Sequence, residues 1–200
     1  MSEAESESAP AGAIAPTEAL RWLAARRRVA LATVMTASGG PFPPPGSLLA
    51  VAEGGDAVGS VSGGCIEDSV ARQALRAIED GEQRVLAYTV TDTVARAEAG
   101  LPAGGRIELY LEPVDPGGRG HRLLERVATA TAEGRAVALV SDLITGLKTL
   151  VYPHAVHGGF GLDEPVLAAV RRCLAEGRCA VLEPSEDSRL FVQVFPGPGC

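Results

Sequence analysis

Residues 59–75 read GSVSGGCIEDSVARQAL and mark the point where a β-type run gives way to a helix. Beyond the pair Gly63 and Gly64, every fourth residue is apolar, which predicts a helix with one buried face. These apolar residues are Ile66, Val70, Ala74 and Ile78. The helix is expected to end at Gly81, since glycine readily adopts the left-handed conformation that follows a helix. A short hairpin is predicted before the turn, with its own glycine pair at Gly54 and Gly55.

The second half of the chain repeats this pattern. RVALATV corresponds to RAVALVS, SGGCIEDSVARQAL to HGGFGLDEPVLAAV, and RIELYLEP to RLFVQVFP. The order helix, strand, hairpin strand, Gly-Gly turn, helix, strand, strand therefore occurs twice. Such self-similarity is typical of duplicated units packed about a pseudo-twofold axis. The alternative is coincidence among generic helix-glycine-strand units.

The alternation of helices and strands predicts an α/β or α+β fold, with a mixed sheet, packed helices and two pseudo-duplicated αβ halves. Residues 1–16 are expected to form a disordered acidic tail. Residues 17–115 form the half that contains the Gly-Gly-Cys turn, and its first helix is predicted over residues 17–27. Residues 116–196 are expected to form a degenerate second half packed on the first, followed by a tail at 197–200.

Composition and charge exclude several classes of function. The 200 residues include 18 Lys+Arg against 25 Asp+Glu, a net charge of −7, so binding to the backbone of nucleic acid is not expected. The first residues lack the basic and apolar regions of a secretion signal. No apolar run approaches the ~20 residues that a membrane span needs. Four scattered cysteines indicate reduced thiols and a cytoplasmic protein.

The two halves differ in length near the glycine turn. The first half is longer by about a dozen residues in each of two places, a length typical of functional loops. The extra segments are the loop containing PFPPPG and the loop TDTVARAEAGLPAGG. Both adjoin the half that contains Cys65, whereas the second half has Phe160 at the corresponding turn. The first half is therefore predicted to hold the functional site.

A cysteine at a helix start has a distinctive chemistry. The unpaired N–H groups there attract anions and lower the pKa of a thiol, so Cys65 is predicted to be a soft ligand or a nucleophile. Ser62 adds a hydroxyl, and the carboxylates of Glu67 and Asp68 complement the helix dipole. The alternative is structural, with Cys65 acting only as a small residue in a tight bend.

The run GSVSGGCIE, preceded by ATVMTASGGPFPPPGSLL and followed by GGRIELYLEP, resembles the N-terminal domain of the XdhC/CoxI family over residues 28–113. Members of this family are accessory proteins of molybdenum hydroxylases such as xanthine dehydrogenase and carbon monoxide dehydrogenase. The resemblance implies a factor that binds the molybdenum cofactor as cargo and protects it while a cysteine desulfurase helps to supply its terminal sulfur. The factor would then deliver the cofactor to the apoenzyme of a molybdenum hydroxylase.

The resemblance also implies a set of binding residues. Cys65 is expected to contact the cofactor's metal or its sulfur, with Gly63 and Gly64 opening the backbone and Ser62 and Glu67 fixing the bound group. The Pro-rich loop and residues 101–105 would form the walls. The glycines expected in these walls are Gly46, Gly104 and Gly105.

The chain departs from the family pattern at several points. Pro43 and Leu48 stand where family members often have arginines, and Ala103 stands where they tend to have a cysteine. Many members also continue into a Rossmann-type domain after a segment like RLFVQVFP. We expect that domain to be missing here or supplied by another chain.

Two other functions remain open. A cysteine-dependent enzyme, catalysing sulfur transfer or hydrolysis, could use Cys65; hydrolysis would require His154 or His157 to approach it from the second half. The pair HAVH offers no third metal ligand, so a metal site there is disfavoured. A cofactor-free scaffold that recruits a partner protein is the other alternative. A homodimer is expected in any case, because open sheet edges favour pairing.

Overall fold

Two sheets of five strands organise the residues that the computed structural model describes, which are 11–89 and 105–197. The first half consists of α1 (Ala11–Ala24), β1 (Val29–Ser38), β2 (Leu48–Ala52), β3 (Ala57–Gly59), α2 (Glu67–Asp80), β4 (Arg84–Thr89) and β5 (Arg106–Val114). The second half consists of α3 (Arg119–Ala132), β6 (Val137–Asp142), β7 (Lys148–Val151), β8 (Val156–Gly158), α4 (Glu164–Ala175), β9 (Ala180–Ser185) and β10 (Ser188–Phe195).

The strand order is the same in both sheets. It is β3-β2-β1-β5-β4 in the first and β8-β7-β6-β10-β9 in the second, so the predicted α/β class and the duplicated order of elements are confirmed. The pairing differs from the mixed sheet that was expected, since every pair of neighbouring strands in these sheets is antiparallel. Short hairpin connections such as β1–β2–β3 allow only antiparallel neighbours.

The helix boundaries test the sequence pattern. The helix predicted beyond the Gly-Gly turn is confirmed as α2, and Gly81 follows it with φ of 75°. The span predicted for the first helix is wrong at both ends. Pro16 lies inside α1, because the fixed φ of proline is helical and only one N–H is lost. The helix ends at Ala24 because Arg26 adopts a left-handed φ of 64°, which lets the Arg27 amide donate to the Trp22 carbonyl at 3.0 Å.

The faces of the first sheet are covered by different helices. Val70 of α2 packs in one core with Ala30 and Ala32, whereas Leu23 of α1 packs in another core with Leu31. This division follows from the alternation of side chains along β1. The sheet is therefore buried on both sides, which explains why β1 reads as a nearly continuous apolar run.

Helices cover both faces of the second sheet as well. The two sheets contact each other through apolar and charged side chains. Val170 of α4 packs on one face of the second sheet, and Val127 of α3 packs on the other. Met35, Tyr110 and Phe191 form a buried cluster that joins β1 and β5 to β10.

A buried ionic network also links the halves. The Lys148 ammonium lies 2.9 Å from the Glu112 carboxylate and donates to the Tyr110 hydroxyl at 3.1 Å. Lys148 and Glu112 are less than a tenth exposed. The Tyr110 hydroxyl donates in turn to Gln83 at 2.6 Å, and burial raises the pKa of Tyr110. The network contains residues of both sheets, so their relative placement is fixed by charge as well as by apolar packing.

None of the helices in the described part of the chain is long and apolar enough to cross a bilayer.

Candidate functional site

The turn between β3 and α2, together with the first residue of that helix, contains five of the predicted site residues. Gly63 and Gly64 adopt φ of 80° and 107°, which L side chains rarely adopt. A Cβ added at either glycine would meet no atom within 4 Å, so the space outside the turn is open. The backbone conformation, rather than a close neighbour, therefore requires glycine at both positions.

The carboxylate of Glu67 folds back into this turn and accepts six hydrogen bonds. Its Oε1 accepts from the Ser60 hydroxyl at 2.6 Å, the Val61 amide at 3.1 Å and the Ser62 amide at 2.9 Å. Its Oε2 accepts from the Ser62 hydroxyl at 2.5 Å, the Gly64 amide at 2.9 Å and the Ile66 amide at 3.2 Å. This carboxylate therefore occupies the anion-binding position that the helix start creates.

The hydrogen bonds also set the ionisation of Glu67. Burial alone raises the pKa of this carboxyl group, but the Ser60 and Ser62 hydroxyls and the backbone amides outweigh that effect and lower the pKa to about 2. Glu67 is therefore ionised at neutral pH and remains so in mildly acidic solution.

The serines satisfy the other amides of the turn. The Ser60 hydroxyl accepts from the Gly63 amide at 2.9 Å, and the Ser62 hydroxyl accepts from the amides of Cys65 at 3.1 Å and Ile66 at 3.0 Å. Every backbone amide from residue 61 to residue 66 thus donates a hydrogen bond within the turn. Sequence reasoning missed this arrangement, because it assigned Glu67 to the helix dipole and to a bound group. The Ser-x-x-x-x-Glu spacing is the signal that could have indicated it.

Cys65 lies in the turn, just before the helix. It was expected in the first turn of α2, but the helix starts at Glu67 and Ile66 is the N-cap residue. Its thiol is reduced and its side chain is half-buried. Two cavities, of about 840 and 470 Å³, lie along α3, and Cys65 lines neither of them. The open space beside Gly63 and Gly64 therefore adjoins the next residue in the turn, Cys65.

Gly46 lies apart from this group, at the contact between the halves. Its φ is 94°, and a Cβ added there would lie 2.8 Å from the Cys179 sulfur. Its carbonyl accepts a long hydrogen bond of 3.5 Å from Gln193. The structure gives Gly46 a role in close packing between the halves, and its predicted role in binding stays a prediction.

Gly105 is next to the Pro-rich loop, as the predicted walls require. A Cβ added at Gly105 would lie 3.1 Å from the Phe42 ring and 3.3 Å from the Gly39 carbonyl. Phe42 in turn packs against the core that contains Val61. Gly104, together with Ala103, lies outside the described residues, so its predicted role stays a prediction.

The corresponding turn of the second half is built differently. Asp163 caps α4 by accepting from the Val166 amide at 2.9 Å, and Phe160 packs against the core. Cys173 of α4 is buried in the core of the second half, and this burial raises the pKa of its thiol. Burial likewise raises the pKa of the Cys179 thiol. Neither cysteine has the properties of an activated thiol.

Metal binding by protein ligands alone has no support in the described residues. No group of three or more His, Cys, Asp or Glu side chains in residues 11–89 and 105–197 is arranged to hold a metal ion.

These observations define a duplicated αβ protein with a half-buried thiol in a glycine turn that a carboxylate holds closed. Residues 22–89 match the model of the XdhC and CoxI family, which confirms the resemblance over this segment. The matching segment includes the whole Glu67-bonded turn. No curated protein matches the chain at a significant level.

A solved structure shares the fold. The crystal structure of a xanthine dehydrogenase from Bacillus halodurans, at 2.80 Å resolution, superimposes with a TM-score of 0.65 at 23% sequence identity. The match covers 92% of this chain and 53% of that one, so the chain spans about half the length of that protein. At this identity the likeness establishes the fold alone.

Proposed function

We propose that this protein is an accessory factor for molybdenum hydroxylases of the xanthine dehydrogenase or carbon monoxide dehydrogenase type. It binds the molybdenum cofactor as cargo and assists its sulfuration and insertion. The observation that supports this proposal most strongly is the family match over residues 22–89, because it contains the turn with Cys65. The Bacillus halodurans protein with the same fold is described as a xanthine dehydrogenase, which points to the same enzyme system.

The turn suits the sulfur and metal end of such a cargo. Thiolate is a soft ligand, which suits a metal already held by sulfur. Cys65 is held in a turn whose amides are all bonded internally, so its position does not depend on a ligand. The open space beside Gly63 and Gly64 admits the cargo. In this proposal Ser62 and Glu67 fix the shape of the turn rather than contact the cargo.

The phosphate of the cargo requires a different partner. The amides of residues 61–66 already donate to Glu67, Ser60 and Ser62, so they do not hold a second anion. Pro43 and Leu48 supply no charge either. We therefore place the phosphate away from the turn, towards the Pro-rich loop and Gly105, with Gly46 and Gly104 as the remaining wall positions.

The partners follow from the same proposal. A cysteine desulfurase supplies the sulfur, and the apoenzyme of a molybdenum hydroxylase receives the cofactor. A homodimer is proposed because β3 and β4 in one sheet, and β8 and β9 in the other, are edge strands. Sedimentation equilibrium tests this part, and a mass equal to one chain at micromolar concentration would contradict it.

Retention of the cofactor tests the proposal directly. The purified protein is incubated with molybdenum cofactor, and the molybdenum that elutes with the protein is measured. We expect wild type to retain molybdenum, Cys65→Ala to retain at most a tenth as much, and Cys173→Ala to retain the wild-type amount. Cys173 is the matched control because it is a reduced cysteine buried in the other half. Equal retention by Cys65→Ala and wild type would remove the role given to this thiol.

One observation favours the scaffold as a second candidate function. The complete use of the turn's amides by the protein's own groups leaves a rigid, folded surface that needs no cofactor. In that case wild type retains no molybdenum but still co-elutes with an apo-hydroxylase, and Cys65→Ala does so equally well. A persulfide on Cys65, detected by mass spectrometry after incubation with a desulfurase and cysteine, would instead favour the sulfur-transfer enzyme.

A further inference from the structure

The second half contains a large groove that the proposed function does not use. Its volume is about 840 Å³, and it lies between α3 and the turn that joins β7 to β8. Cavities that bind small organic molecules usually have volumes of about 300–1,000 Å³. Six of its lining side chains are basic or aromatic: Arg122, Arg126, Arg135, Tyr152, His154 and His157.

The groove concentrates positive charge in a protein whose net charge is −7. Three arginines line it, and among the lining residues within the described ranges the single acid is Glu125. The Nε2 atom of His121 lies 3.6 Å from the Glu125 carboxylate. Arg126 is exposed, and no hydrogen bond or ion pair joins its side chain to another residue in the described ranges.

In the first half, the arginines at the corresponding position form ion pairs with acids. There the turn from β2 to β3 supplies two acids, and Asp56 pairs with Arg27 while Glu53 lies 3.0 Å from Arg28. These pairs occupy two of the three arginines that follow α1, Arg27 and Arg28. In the first half, these arginines are therefore paired with acids from the opposite turn and contribute to the stability of the fold.

The second half has an equivalent turn that is one residue shorter and contains no acid. The Ala52 amide donates to the Asp56 carbonyl at 2.8 Å, and the Tyr152 amide donates to the Ala155 carbonyl at 2.8 Å. Each bond joins the residues next to the last strand pair, so Asp56 and Ala155 correspond. The second turn places Pro153, His154 and Ala155 where the first has Glu53 and Asp56.

Arg135 meets no acid from the turn that joins β7 to β8. Its pairing is with Glu133 on its own connecting segment, and its guanidinium lies 5.7 Å from the centre of the Tyr152 ring. The His157 ring packs against the same tyrosine in a T-shaped arrangement, with ring centres 5.8 Å apart. Arginines next to an aromatic wall are suited to a ligand with an anionic end and an organic body.

We propose that this groove binds a small organic phosphate, with the phosphate held by Arg126 and its neighbouring arginines and the organic part lying against Tyr152 and Pro153. A phosphate monoester can accept from several guanidinium groups at once, whereas a carboxylate is saturated by fewer. Inorganic phosphate would fill only a small part of the groove. The proposal concerns a site separate from Cys65 and does not depend on the proposed function.

Calorimetric titration of the full chain with adenosine monophosphate tests this proposal, with adenosine and inorganic phosphate as comparisons. We expect the monophosphate to bind at least tenfold more tightly than either comparison ligand. Arg126→Ala is expected to weaken binding of the monophosphate at least tenfold. Arg76→Ala is the matched control, an exposed arginine on α2 outside the groove, and it should bind as wild type does.

A second variant gives the second half the acid that the first half has at the equivalent turn. Ala155→Asp places a carboxylate at the position that corresponds to Asp56, and it is expected to weaken binding at least tenfold while leaving the melting temperature within error of wild type. Three results would each overturn the proposal: no binding of the monophosphate at millimolar concentration, equal binding by Arg126→Ala and wild type, or equal affinity for inorganic phosphate and the monophosphate.

Discussion

The residue that determines the shape of the candidate site is Glu67. One carboxylate accepts four amide and two hydroxyl hydrogen bonds, so it replaces an external anion at the start of α2. Hydrogen bonds to charged acceptors are stronger than neutral ones, and the low pKa of Glu67 reflects their sum. The conformation of Gly63 and Gly64 follows from this carboxylate as much as from the glycines themselves.

Replacement of this carboxylate should destabilise the fold. Glu67→Gln keeps the size of the side chain but removes the charge and turns an NH₂ group towards amide donors, so we expect a loss of about 2 kcal/mol in the free energy of unfolding. Urea denaturation measures the loss. Asp68→Asn is the control, because it removes the neighbouring charge from the same helix start at a cost of about 0.5 kcal/mol. Equal losses in the two variants would show that only the helix dipole matters.

The same carboxylate should make stability depend on pH in a defined window. The pKa of Glu67 is about 2 in the folded protein against 4.5 ordinarily, so its stabilisation is complete above the ordinary value and is lost as the pH falls towards 2. The difference in unfolding free energy between wild type and Glu67→Gln should therefore be constant from neutral pH to about pH 5 and should shrink between about pH 4.5 and pH 2. Urea denaturation at several pH values checks this, and a constant difference down to pH 3 would contradict it.

At the scale of elements, the helix after the glycine turn was the most predictable part of the fold. Its apolar spacing and the glycine that follows it are local signals, and both match α2. The first helix was predicted less well because Pro16 was taken as a boundary, and the left-handed Arg26 has no strong sequence signal. Local sequence patterns also do not predict which strands pair, because β1 pairs with β5 although 67 residues lie between them.

The turn of the candidate site shows the same limit. Its residues were identified from the sequence, since glycines and a cysteine at a helix start have a recognisable chemistry. The contacts of the Glu67 side chain were not predicted from the sequence, because they depend on how residues 60–66 fold back over the helix start. A local pattern indicates which groups are present, and only the tertiary path decides which donor meets which acceptor.

The end of α2 gives a test of backbone conformation alone. Gly81→Ala should lower the free energy of unfolding by about 1 kcal/mol, because the residue has φ of 75° although a Cβ there would meet no atom within 4 Å. Gly161→Ala is the matched control, since it also has open space but no positive φ. Thermal or urea unfolding should show the control unchanged or slightly stabilised. A loss in both variants would mean that solvent exposure, not φ, sets the cost.

For the whole molecule, the junction between the halves is the feature that duplication alone does not explain. The apolar cluster around Tyr110 and Phe191 buries surface at this junction. Apolar contacts are not directional, so they do not by themselves fix one relative position of the two halves. The ion pair between Lys148 and Glu112 lies within that junction and is directional. We infer that it fixes the register of one half on the other.

Loss of one member of this pair should be costly. Lys148→Met leaves the Glu112 carboxylate buried without its partner, and we expect a loss of about 3 kcal/mol in the free energy of unfolding. The double variant with Glu112→Leu should recover most of that loss, as urea denaturation would show. Arg178→Ala, which breaks an exposed pair with Glu176, should cost less than about 0.5 kcal/mol. A double variant no more stable than Lys148→Met would contradict the assigned cause.

The internal hydrogen bonds of the turn at residues 60–66 affect the rate at which its amide protons exchange with water. Surface glycine amides normally exchange their protons with water quickly, yet those of Gly63 and Gly64 are held by Ser60 and by the Glu67 carboxylate. Deuterium uptake at these two exposed positions should therefore be slow in the empty protein, and binding of cargo should slow it little further. Under the function proposed above, loading and release would proceed without any ordering or melting of this segment, and transfer to an acceptor enzyme would not wait for a refolding step.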